Sequence, residues 1–367
     1  MSDDEFYMAR ALQLAQKAWG KTAPNPMVGA VLVKGGRIIA EGYHHADGLP
    51  HAEKDCLSHV NFSAPGATMY VSLEPCSTHG RTGACCEAIC RAGISEVVAA
   101  CEDPNPLHRG RAWPYLASRG VKSRCGVLES QARELNFIFN KNIVSSEALL
   151  AIKFAVSKDG KLTRRRGEPT RVSGDSARAD TMKWRSLFQS IGVGFGTLLS
   201  DNPRLTRRLA GGEQSCPLRL IFDASARLAD FDDLSAFNVF GDSFKNCTRV
   251  VCSGESSEAA RRKIESLGAA LMHIDAPKDS PAFWNLLKRG LYRERICSVF
   301  IEGGAGLFES ICRSRAADYV FGYQSGETFG CGLDAFSEKY FDIKVVEEAR
   351  LGGDTLRRGY PLWIRKQ

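Results

Sequence analysis

No stretch of the chain keeps an apolar run as long as the roughly 18 residues a membrane-crossing helix needs, so no membrane partner is expected. The opening residues, MSDDEFYMARALQLAQ, lack the basic start and apolar core of a secretory signal, and the expected location is the cytoplasm. Internal repeats and low-complexity segments are missing as well, which leaves ordinary globular domains. A long basic tract is also absent. The formal net charge is +7, but it is spread along the chain, and the densest run, TRRRG at 163–167, is short. That pattern suits a solvated loop or a site for small phosphorylated ligands, and it argues against a nucleic-acid partner.

Cysteine, by contrast, is plentiful, and its count of 13 is odd. In a reducing compartment these residues are thiols or metal ligands rather than a disulfide frame. Most read as small buried hydrophobes. Only the stretch EPCSTHGRTGACC at 74–86 has neighbours that suggest chemistry. The length of 367 residues suits two domains, each able to bury a core.

Hydrophobic periodicity organises the chain. Residues 5–19 read as an amphipathic helix with Phe6, Ala9, Leu12, Leu14 and Ala15 at helical spacing. VGAVLV (28–33) and IIAEGYH (38–44) read as strands joined by a turn at Gly35 and Gly36. MYVSL (69–73) is a strand that delivers Glu74, Pro75 and Cys76, and a helix runs from about Ala84 to Arg91. SQARELNFIFNKNI closes this half as a helix. LLAIKFAVS (149–157) then restarts the pattern, and strands alternate with helices to DYVFGY. Alternation of this kind predicts two α/β domains, 1–147 and 148–367, with the boundary at SSEA.

A catalytic zinc site needs three protein ligands and one open position. His51, Cys76 and Cys85 offer an imidazole and two thiolates, and bound zinc lowers the pKa of a water to about 7. Glu53, two residues beyond His51 in PHAEKDC (50–56), sits where a carboxylate shuttles protons from water to a leaving amine without touching the metal. This order is that of zinc deaminases: His-x-Glu, then Pro-Cys, then a second Cys. The second Cys is either Cys85 or Cys86. Cys86 and Cys90 are four apart and share a helix face, which favours Cys85 at the helix start, where the dipole stabilises a thiolate. No fourth ligand is evident at suitable spacing for a closed structural site.

Several segments carry a specific resemblance. APNPMVGAVLV, PHAE, VSLEPCSTHGRTGACCEAI and EDPNPLHRGRA resemble the N-terminal half of the bifunctional riboflavin-biosynthesis deaminase–reductase family. KFAVSKDGK, ARADTMKWR, GFGTLLSDNPRLTRR and IEGGAGLFES resemble its reductase half, in the family's order. The resemblance implies a cytidine-deaminase-like α/β/α sandwich followed by a dihydrofolate-reductase-like α/β domain. It implies one zinc per chain and NADPH as cofactors, phosphorylated pyrimidines as substrates, and a homo-oligomer. Carried over by position, His51, Cys76 and Cys85 match the zinc ligands and Glu53 the proton shuttle. Asn25 and His44, with His79, match the pyrimidine pocket. In the second half Lys153 is the catalytic match. Pro169, Arg185, Leu205, Arg208 and Glu302 match substrate positions, and the two arginines suit a ribose-phosphate arm. Ala155, Arg171, Thr197, Asp201, Ala224, Gly303, Gly304, Ala305 and Gly306 match cofactor positions. The glycine-rich turn would let backbone N–H groups approach a pyrophosphate.

The chain departs from the family pattern at Pro169, Thr170 and Arg171, in place of Ser-x-Trp, and at Ala224, in place of a Ser. These departures motivate one rival reading, a deaminase whose reductase-like half is a scaffold. The net charge motivates a second, a nucleic-acid-editing deaminase.

Overall fold

The computed structural model describes residues 2–78, 83–165, 168, 170–208, 214–253, 258–335 and 337–364. The chain forms two units, Met1–Ser146 and Glu147–Gln367. In the first, α1 (Asp3–Gln16) begins at a capping box between Ser2 and Glu5. Its buried face is Tyr7, Met8, Ala11, Leu12, Leu14 and Ala15, whereas Phe6 is exposed. The helix is therefore turned from the phase that the sequence suggests at its first residue, and Tyr7 takes the place expected of Phe6.

Strands β1 (Gly29–Lys34) and β2 (Arg37–Tyr43) form a hairpin through Gly35 and Gly36, both at positive φ. With β3 (Thr68–Val71), β4 (Glu96–Ala99) and β5 (Lys122–Cys125) they make a sheet of order β2-β1-β3-β4-β5. The β3–β4 and β4–β5 pairs are parallel. Helix α2 (Ala52–Ser58) lies so close to β2 that a Cβ on Gly42 would sit 2.3 Å from the Cys56 backbone nitrogen. Only glycine permits that approach. Helices α3 (Cys85–Arg91) and α4 (Ala112–Ala117) follow β3 and β4. The closing helix expected from 130–143 is instead two, α5 (Glu129–Leu135) and α6 (Phe137–Ser145), broken at Asn136. The Asn136 amide explains the break: its Oδ1 accepts from Met27 N at 2.8 Å and its Nδ2 donates to Met27 O at 2.9 Å.

The second unit contains a nine-stranded sheet. Its strands are β6 (Leu149–Val156), β7 (Ser190–Gly194), β8 (Leu218–Phe222), β9 (Thr248–Cys252) and β10 (Ala270–His273), followed by β11 (Ser298–Ile301), β12 (Tyr319–Gln324), β13 (Phe341–Leu351) and β14 (Asp354–Trp363). The order is β10-β9-β8-β7-β11-β6-β12-β14-β13. The first seven positions are parallel, and the C-terminal hairpin β13–β14 adds antiparallel. Alternate residues of β8 enter two cores: Leu220 and Phe222 join one apolar cluster, Ile221 the other. Helices α7 (Asp175–Leu187), α8 (Phe195–Asp201), α9 (Glu258–Ser266), α10 (Pro281–Arg293) and α11 (Ala305–Arg313) complete the unit. The strand succession steps outward from β7 to β10 and then returns at β11, between β7 and β6. That reversal opens a crevice at the carboxyl ends of the parallel strands, the usual ligand site of such sheets.

Candidate metal centre and cofactor cleft

Three elements deliver the first site. His51 is the residue before α2, in extended backbone, with Pro50 ahead of it. Cys76 follows β3 in the segment beginning at Glu74, and Cys85 is the first residue of α3. The ligand atoms of His51, Cys76 and Cys85 lie within 4.8 Å of one another. His51 Nδ1 is 3.6 Å from Cys76 Sγ and 3.4 Å from Cys85 Sγ. One imidazole nitrogen and two sulfurs at this mutual spacing suit zinc. No fourth metal-binding side chain joins them among the described residues, so the cluster has the composition of an open site. Cys86 is turned away: its Sγ faces Pro75 O at 3.6 Å and belongs to the apolar core.

The helix start acts differently from expectation. The Cys85 backbone N–H points at Cys76 Sγ, 3.3 Å away, and the Cys86 N–H donates to Cys76 O. The thiol pushed down, to about 4, is accordingly Cys76, first through the S–H that Cys85 shares with it and also through His51. That shared proton and burial hold Cys85 up. Glu53 is buried beside them. Loss of water raises its pKa, the Cys76 charge adds to the rise, and His51 works against it.

Asn25 lies close by. Its Nδ2 is 3.2 Å from His44 Nε2 and donates to Asp47 Oδ1 at 3.1 Å. His44 Nδ1 lies 3.0 Å from the Pro50 carbonyl, which fixes the proton on Nδ1 and leaves Nε2 as acceptor. Burial lowers the His44 pKa and keeps the ring neutral. His44 is 2% exposed, so it stands behind Asn25 and sets the direction of its amide. With both amide hydrogens committed, the Asn25 carbonyl oxygen is left for a ligand. Around the insert between the two cysteines, Lys54 Nζ donates to Gly83 O at 3.0 Å. His79 lies outside the described residues. Sequence reasoning missed Glu74. Its buried carboxylate accepts from the backbone N–H groups of Asp103, Gly110 and Ala112 at 2.9–3.0 Å, which pins the 102–112 loop.

The second site is a cleft of about 1220 Å³ at the carboxyl ends of β6, β7, β8 and β11. Lys153, Ala155, Arg171, Arg185, Thr197, Asp201, Ala224, Glu302 and the 303–306 turn all line it. Gly303 and Gly304 have φ of 154° and 97°, and a Cβ on either would come within 3.3 Å of Thr197. This cradle, before α11 and against Thr197, fits a dinucleotide pyrophosphate approaching bare backbone.

Two placements differ from expectation, and a third residue, Arg171, lines the cleft with a protein partner. Arg185 donates from Nε and Nη2 to the Glu302 carboxylate and from Nη1 to Thr206 O at 3.5 Å, and the pair has 15% and 7% side-chain exposure, so this guanidinium is engaged by protein and does not stand open to a phosphate. Leu205 is 2% exposed in the apolar core, at φ 50°, and does not line the cleft. Arg171 donates to Asp175 Oδ1 at 2.6 Å and so is tied to the first turn of α7. Pro169 lies outside the described residues, as does the side chain of Arg208. Lys153 Nζ sits 5.4 Å from the centre of the Tyr323 ring and has no hydrogen-bond partner among the described residues. Desolvation lowers its pKa, and Glu302 partly restores it. Tyr323 is itself held by Asp180 at 2.8 Å.

Comparisons with known proteins cover both units. Residues 1–101 match the cytidine and deoxycytidylate deaminase zinc-binding region, and residues 148–346 match the RibD C-terminal domain. The riboflavin biosynthesis protein RibD of Aquifex aeolicus is 34% identical over 346 residues, covering 94% of this chain and 92% of that one. Its counterpart in Bacillus amyloliquefaciens is 33% identical over 321 residues, 87% and 84% of the two chains. A solved diaminohydroxyphosphoribosylaminopyrimidine deaminase/5-amino-6-(5-phosphoribosylamino)uracil reductase from Thermotoga maritima is 34% identical, with a TM-score of 0.83 over 98% of this chain and 99% of that one. A solved RibD of Acinetobacter baumannii is 29% identical, with a TM-score of 0.81 over the same shares.

Proposed function

The chain belongs to the RibD family of riboflavin-biosynthesis enzymes, a deaminase and a reductase in one polypeptide with zinc and NADPH as cofactors, and from that premise we propose how its residues divide the work. The substrates we assign are those of the Thermotoga maritima relative. The first unit removes an amine from 2,5-diamino-6-(5-phosphoribosylamino)pyrimidin-4-one, and the second reduces 5-amino-6-(5-phosphoribosylamino)uracil to its ribityl product. The observation that carries this reading is the His51, Cys76 and Cys85 cluster with a buried Glu53 beside it.

In the deaminase, His51, Cys76 and Cys85 would hold zinc, which supplies a water activated at neutral pH. Glu53, kept from bulk water and raised in pKa, takes a proton from the attacking water and returns it to the leaving amine. The Asn25 carbonyl, aimed by His44 and Asp47, accepts from the pyrimidine edge. In the reductase, NADPH supplies the hydride. Gly303, Gly304 and Thr197 would hold its pyrophosphate, and Asp201, Ala155 and Ala224 line the same cleft. Lys153 is the unengaged cation at the reacting end and gives the proton that the sugar oxygen needs when the ring opens. The Glu302–Arg185 pair fixes the floor beneath it. The phosphate arm falls to Arg208.

This reading includes assembly with copies of the chain, a cytoplasmic location and no nucleic-acid partner. The test is to supply the diaminopyrimidine substrate with and without NADPH and identify products by mass. Loss of the amine without NADPH, and gain of two hydrogens only with it, is the expected pair of results. An unchanged substrate mass would overturn the reading.

A further inference from the structure

The cleft contains a cation that the roles above do not use. Arg227 follows β8, and its guanidinium lies 4.0 Å from the centre of the Phe195 ring. One edge of the fork is occupied: Nε donates to Asp223 Oδ1 at 3.3 Å. Asp223 is itself fully buried and accepts from Leu228 N at 2.8 Å, so the arginine is fastened to a fixed carboxylate. The side chain nevertheless remains 56% exposed, and among the described residues its two terminal nitrogens have no hydrogen-bond partner. A guanidinium held over a ring and by one edge is preorganised, and its open edge matches the oxygens of a phosphate monoester.

The strand order says which phosphate. Lys153 and Glu302 mark the reacting end, at β6 and β11, and the 303–306 turn meets Thr197 at β11 and β7. Arg227 stands at β8, three strand positions from β6. At the ordinary strand spacing that is roughly 14 Å from the reacting end. A dinucleotide whose pyrophosphate sits in the glycine cradle has its adenosine on the β8 side, where Phe222, Val251, Phe283 and Trp284 line the cleft. Lys278 lines the same end, but it is an exposed, flexible point charge with Asp279 beside it.

We propose that Arg227, held over Phe195 and fastened to Asp223, binds the 2′-phosphate of NADPH and makes this chain discriminate against NADH. The proposal rests on the reading of the cleft as an NADPH site.

The test measures binding rather than turnover. The full chain is titrated calorimetrically with adenosine 2′,5′-bisphosphate, adenosine 5′-monophosphate and ribose 5-phosphate. The parent should bind the bisphosphate at least about tenfold more tightly than the monophosphate, the size of one charge-assisted hydrogen bond. Arg227→Leu should erase that preference and leave monophosphate affinity within about twofold, and Arg227→Lys should fall between. If Arg227→Leu does not fold, Arg227→Gln serves the same comparison. A variant without the guanidinium that keeps the preference overturns the proposal and leaves the NADPH reading standing. So does a variant that weakens only ribose 5-phosphate, because the arginine then serves the substrate's phosphate. A parent that binds neither adenosine nucleotide removes the NADPH reading itself, and the proposal with it.

Discussion

A single position separates the sulfur that faces His51 from the one that does not. Cys85 and Cys86 are neighbours, yet one faces His51 and the other faces a backbone carbonyl in the core. Cys85→Ser should therefore lose zinc and deaminase activity together, whereas Cys86→Ser should keep both, read by metal content and amine release; the reverse pattern would shift the site by one position. Lys153 tests the second site. Lys153→Met should lower reductase turnover by about 10² or more, the range of general acid–base contributions. It should also raise thermal stability, because a lysine with depressed pKa is a burden on the fold. In the window between the depressed folded value and the ordinary 10.5, the unfolded chain holds the extra proton, so stability rises with pH there. The variant's advantage should thus be full below that window and close as pH climbs through it. Melting curves at several pH values check the sign, and a gap that widens with pH would contradict it.

At the scale of elements, what was legible depended on whether the signal was local. The HAE and Pro-Cys segments announce the zinc cluster because their order is rare and each lies at the start or end of one element. Alternation of strand and helix reveals the parallel sheet. The C-terminal hairpin was harder to read: FDIKV alternates apolar and polar over 341–345, but Val346 breaks the alternation where the register shifts, and seven of the eleven β13 residues are exposed. The break at Asn136 was hidden for another reason, since its partner, Met27, is 109 residues away. Closure of Arg185 on Glu302 was likewise invisible, because a resemblance gives positions and not the partners that side chains find. Asn136 yields a prediction. Asn136→Ala leaves the Met27 N–H and C=O unpaired in a buried place, costing about 1–3 kcal/mol per group. Met27 is two residues from Asn25, so KM for the diaminopyrimidine should rise while zinc content stays the same. A variant that melts earlier with KM unchanged would make Asn136 a packing residue alone.

The two units each contain what their chemistry needs. The triad, Glu53 and Asn25 all lie within Met1–Ser146, and every residue placed in the cleft lies within Glu147–Gln367. Their activities should therefore separate cleanly. Glu53→Gln preserves side-chain size and removes the proton shuttle, so deaminase rate should fall by about 10²–10⁴, with zinc still bound. NADPH oxidation on already deaminated substrate should continue at the parent rate. Removing zinc with a chelator should have the same divided effect through a different route, and restoring zinc should return amine release without altering NADPH oxidation. The two perturbations are informative together. Glu53→Gln touches a proton path and leaves the metal, while chelation removes the metal and leaves Glu53. If either one depresses the reductase while circular dichroism shows the fold intact, the two sites are coupled. If both leave it untouched, the second unit reduces its substrate on the strength of its own cleft.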